Sequence, residues 1–92
     1  MAFPDVGDRR FRALFGLPAA HTLRRLDFTE PHMDTFAWRH EEQDADGRTV
    51  AIFTTCAWLG MATGADYTKT SPDGQVLEHR MVPELLDLLG QD

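Results

Sequence analysis

The chain predicts an α+β fold: one antiparallel sheet of four or five strands, with an N-terminal and a C-terminal helix packed on one face. Three observations carry that prediction. Two Asp-Gly pairs, Asp46-Gly47 and Asp73-Gly74, each stand between runs of strand-like residues, and such pairs signal tight antiparallel turns. Residues 33–42 alternate with period two, placing Phe36, Trp38 and His40 on one side and Ala37, Arg39 and Glu41 on the other. Both ends of the chain instead space their apolar residues as a helix does.

Taken in order, residues 5–17 predict a short helix, because Phe11, Leu14 and Phe15 form one stripe with Arg9, Arg10 and Arg12 mostly off it. Asp5 or Asp8 caps its start, Gly16 ends it and Pro18 blocks its continuation. Residues 19–30 tolerate either a helical turn or a strand, and a strand over 24–29 closed by Pro31 is the expectation. Residues 48–58 form a strand apolar on both sides, with Val50, Ile52 and Cys56 on one and Ala51, Phe53 and Ala57 on the other. Such a strand is central, or covered on one face by helix. Residues 65–71 and 75–81 form a second hairpin, and Pro83 opens a short helix over 83–89.

Three-residue loops ending in a left-handed glycine suit both Asp-Gly turns. They set Trp38 opposite Thr54, Phe36 opposite Cys56 and His40 opposite Ile52 in the first hairpin. In the second they set Asp66 opposite Arg80 and Tyr67 opposite His79.

The 92 residues make one domain, and 42% hydrophobic with 26% charged residues is the balance of a folded, soluble chain. Apolar runs are far shorter than the roughly 20 residues that span a bilayer, and the N-terminus lacks the features of a signal peptide. A single cysteine, Cys56, offers no internal disulfide. The expected compartment is therefore the cytoplasm, with no membrane partner. Eight arginines against one lysine, and no asparagine, fit a GC-rich genome, bacterial or phage.

The net charge of −6 is unevenly spread: residues 1–30 carry five bases and four acids, residues 31–92 four bases and eleven acids. An acidic body repels phosphates, which argues against direct nucleic-acid binding.

No cofactor motif is present. Asp44-x-Asp46-Gly47 resembles the start of a calcium loop, but the sixth and twelfth positions are Thr49 and Thr55, where glycine and glutamate are required. His21, His32, His40 and His79 have no metal-ligand spacing with one another or with Cys56, so no metal is expected.

The functional expectation is a small non-enzymatic protein-binding domain, a regulator or inhibitor that docks on a basic partner surface. Trp38 serves as aromatic anchor beside the acidic Glu41, Glu42, Asp44 and Asp46, with Trp58 and Met61 as further contacts. One alternative is a small-ligand pocket between sheet and helices, lined by Trp38, Trp58, Tyr67 and His79. Another is an enzyme using His40 or His79 as general base. Homodimerisation through an unpaired edge strand is also open, although the sequence does not say which strand is the edge.

Overall fold

A computed structural model describes residues 8–59 and 63–86. Helix α1 (Asp8–Phe15) precedes five strands: β1 (Thr22–His32), β2 (Thr35–Gln43), β3 (Thr49–Trp58), β4 (Gly64–Thr70) and β5 (Val76–Met81). They form one antiparallel sheet in the order β1-β2-β3-β4-β5, each strand beside its neighbour in sequence. The whole is one domain, and α1 is the one complete helix among the described residues. No described helix is long and apolar enough to cross a membrane.

α1 forms because Phe11 and Phe15 lie one turn apart and bury together on the sheet. Phe11 meets Trp38 and His40, with ring centroids 6.0 and 4.5 Å away. Phe15 stacks on Phe53 at 4.1 Å and meets Tyr67 edge-on. The helix ends at Gly16, whose N–H donates to the Arg12 carbonyl. The Arg12 guanidinium then holds the following linker through the carbonyls of His21 and Pro18.

This contact decides which face of the sheet is core. Trp38, His40 and Glu42 of β2, Ala51, Phe53, Thr55 and Ala57 of β3, and Ala65 and Tyr67 of β4 are all buried on the helix side. Val82 and Leu85, just past β5, join the same cluster. β3 is the central strand, and its alternate residues, from Ile52 to Trp58, point to a second face that no described element covers.

The segment 19–30 resolves as strand, and β1 runs past Pro31 to His32 instead of stopping before it. A proline is tolerated there because β1 is an edge strand and neither Glu30 nor Pro31 has a register partner. The β1–β2 turn uses Asp34 at φ 62°, a conformation aspartate accepts more readily than most residues.

Both expected registers shift by one residue. Trp38 lies opposite Thr55, Phe36 opposite Ala57 and His40 opposite Phe53, because the β2–β3 ladder has an irregularity between Glu42 and Gln43. Asp66 lies opposite Met81 and Tyr67 opposite Arg80, because another falls between Lys69 and Thr70. Each is an extra residue on one strand, which moves every later partner along by one. Of the expected helix over 83–89, the described residues show its beginning: a turn at 83–84 leads into helical residues Leu85 and Leu86, with Leu85 N donating to the Val82 carbonyl and Leu86 N to the Pro83 carbonyl. The rest lies outside the described residues.

Gly64 sits under the indole of Trp58, where an added Cβ would lie 2.6 Å from Cζ2 and 2.8 Å from Cε2. Gly64→Val is expected to displace the ring at about 1–3 kcal/mol, read as a lower thermal midpoint and greater iodide quenching of tryptophan emission. Unchanged midpoint and quenching would show that the indole does not rest there.

Candidate functional site

Alternating connections in a five-strand meander put the β2–β3 and β4–β5 turns at the same end of the sheet, about 10 Å apart across two strand spacings. At the first, Asp44 Oδ1 accepts the backbone N–H groups of Asp46 at 2.9 Å and Arg48 at 3.0 Å. At the second, the Ser71 hydroxyl donates to Asp73 and accepts the N–H of Gln75. Gly47 and Gly74 close these turns at φ 83° and 95°, a region that favours glycine.

These bonds fix charge as well as shape. The backbone N–H of Arg48, above all, holds the Asp44 carboxyl below the usual aspartate value. The Ser71 hydroxyl, followed by the Gln75 N–H, does the same for Asp73. With exposed Asp46 beside them, the two turns carry three carboxylates, Asp44, Asp46 and Asp73, and the guanidinium of Arg48.

The other predicted contact residues do not gather there. Trp38 is 0% exposed, sealed beneath Phe11, so it offers no surface anchor. Glu41 and Glu42 point to opposite faces, as neighbours on a strand must. Glu42 is buried and bonded to His21 Nδ1 at 2.5 Å, whereas Glu41 accepts a bond from Gln43 Nε2 at 2.7 Å on the uncovered face. Trp58 is half-buried at the far end of β3, and Met61 lies outside the described residues.

The expected pocket residues are likewise divided. Trp38 and Tyr67 are in the core, while Trp58 and His79 belong to the uncovered face; the four line no common cavity. A groove of about 530 Å³ opens elsewhere, between α1 and the end of β5, lined by Arg10, Ala13, Leu14, Gly16, Arg80, Glu84 and Leu85.

His40 is fully buried under α1, where no substrate reaches it. His79 is half exposed and pairs through Nε2 with Asp66 Oδ2 at 2.9 Å, replacing the expected Asp66–Arg80 contact. Cys56 faces Asp66 across β3 and β4. Burial, and secondarily the Asp66 charge, push its thiol up, opposite to the shift that activates a nucleophile. Among the described residues no three His, Cys, Asp or Glu side chains are placed to hold a metal ion.

Sequence reasoning missed two arrangements. One is the His21–Glu42 pair, which joins the linker to β2 across a sequence gap that no local pattern bridges. The other centres on Tyr67, whose hydroxyl donates to Glu78 Oε1 at 2.5 Å while the Arg80 guanidinium lies 5.9 Å above its ring. Alternation does put Glu78 and Arg80 on one face of β5, so this second signal was present. Comparison with protein-family models, curated proteins and solved structures finds no match to this chain.

Proposed function

We propose that the domain is a non-enzymatic protein-binding unit, a regulator or inhibitor that docks its acidic end on a basic partner surface. The observation that carries this reading is the placement of Asp44, Asp46 and Asp73 on two internally hydrogen-bonded turns at one end of the sheet. Both turns hold a carboxylate in its charged form without needing a partner, so little ordering remains to be done on binding. Rim charges of this kind act mainly on association rate and selectivity. A cytoplasmic bacterial or phage setting remains part of this proposal.

The test is affinity capture from cells of the source organism, comparing the natural chain with an Asp46→Lys/Asp73→Lys variant. Both side chains are exposed, but Asp73→Lys gives up the bond from the Ser71 hydroxyl, so a modest loss of stability is expected, read by thermal unfolding of the variant. A basic protein retained by the natural chain, released by salt and bound about tenfold less by the variant is expected. Equal retention by both proteins would refute docking through this end.

The groove beside α1 supports a second reading, a small-ligand protein, at a place other than the one expected. Its lining combines the apolar Ala13, Leu14 and Leu85 with two arginines, Arg10 and Arg80, against one carboxylate, Glu84, a balance that favours an anionic organic molecule. An anionic metabolite copurifying in the same experiment, with no protein partner, would move the assignment there.

A further inference from the structure

The two edges of the sheet are not equivalent. β1 carries Pro31, two register irregularities and the charged Arg24, Arg25, Asp27 and Glu30, features that discourage pairing with another strand. β5 has no proline, and all six of its residues are exposed. Its apolar members are unusually open: Val76 is 67% exposed, Leu77 53% and Met81 58%.

Backbone direction along β5 follows from its inner ladder. Val82 N donates to the Ala65 carbonyl, and Arg80 is the register partner of Tyr67. Residues 80 and 82 therefore turn their backbone groups inward, and His79 and Met81 turn theirs to the open side. An antiparallel copy of β5 must match outward residues with outward residues, so a twofold axis passes through a residue, and the axes through 78, 79 and 80 lie clear of the bend at Leu77 and of Val82, which bonds inward. Centring on Glu78 opposes two carboxylates. Centring on Arg80 opposes two guanidinium groups. Centring on His79 sets each Glu78 against Arg80 of the second copy and each Leu77 against its Met81.

We propose that β5 pairs with β5 of a second copy of this chain, in antiparallel register about a twofold axis through His79, to make a continuous ten-stranded sheet. Charge selects this register from the three centred on residues 78, 79 and 80, and the exposed Leu77 and Met81 cover one another across the junction. A second copy suits this edge better than an unrelated strand because the complementarity lies within β5 itself. Leu77 has no register partner on β4, and the bend there confines the new ladder to a few residues. The association is accordingly weak, with a dissociation constant in the micromolar range. It is independent of docking through the acidic turns, since the twofold axis points those ends of the two copies in opposite directions.

The experiment is sedimentation equilibrium from about 1 to about 500 µM, on the natural chain, on Glu78→Arg, on Arg80→Glu, and on an equimolar mixture of the two variants. The natural chain should pass from monomer to dimer over this range. Each variant alone sets like charges opposite one another twice and should dimerise at least about tenfold more weakly. In the mixture every 78–80 contact is again between opposite charges, so dimers should return. Both side chains also touch Tyr67, but a folding defect would not be repaired by mixing, and thermal unfolding of each variant separates the two causes. The proposal is overturned if the natural chain stays monomeric, if either variant dimerises as well as the natural chain, or if folded variants stay monomeric together.

Discussion

Phe11→Ala is expected to remove about 3–5 kcal/mol of unfolding free energy, against a total of about 5–15 kcal/mol for a domain of ordinary stability. Phe11 is completely buried and touches Phe15, Trp38 and His40. α1 is only eight residues long, too short to be stable in water by itself, so its existence depends on what its two phenylalanines bury. Without Phe11 the helix keeps the burial of Phe15 and the partial burial of Leu14, and Trp38 loses its cover from α1. Urea unfolding should show a much lower midpoint, accompanied by a red shift of tryptophan emission before the main transition. A loss under about 1 kcal/mol would mean that α1 is not what seals this face.

His21→Ala should be nearly as damaging, at about 2–3 kcal/mol. The Glu42 side chain is only 5% exposed and its Oε2 accepts from His21 Nδ1; its Oε1 has no hydrogen-bond partner among the described residues. Removing the imidazole leaves a largely buried carboxyl group without its hydrogen-bond partner, and the unmet desolvation exceeds the value of the lost bond. His21 itself is a quarter exposed, which lets some water in and keeps the loss below that of a fully buried pair. The companion variant His21→Ala/Glu42→Leu removes the group that suffers, and should recover more than half of the deficit. A double variant as unstable as His21→Ala would show that the pair acts by holding the linker, not by satisfying Glu42.

The antiparallel sheet was legible because the strands alternate: Phe36, Trp38 and His40 do share a face. The helical stripe of Phe11, Leu14 and Phe15 was equally plain. The face that this stripe would cover was not, since β3 offers apolar residues on both sides and only the three-dimensional fit chooses Ala51, Phe53 and Ala57 over Ile52 and Cys56. That choice buries Trp38 and removes it from the expected contact surface. The single-residue slips in both registers were illegible for another reason: an extra residue near Val50 or at Leu77 leaves no composition signal, yet shifts every partner beyond it. The splitting of Glu41 from Glu42 was written in the alternation itself, and reading the acids as one cluster overlooked it.

Because each strand hydrogen-bonds only to its neighbour in the chain, no part of the ladder has to wait for a distant segment to arrive. Hairpin closure can proceed strand by strand at low entropic expense. Docking of Phe15 on Phe53 and Tyr67 is different, for it spans two intervening strands to reach Phe53 and three to reach Tyr67. The ribbons are therefore expected to form before the amphipathic cap arrives, so that folding-rate changes from Phe15→Ala should be small beside its effect on unfolding.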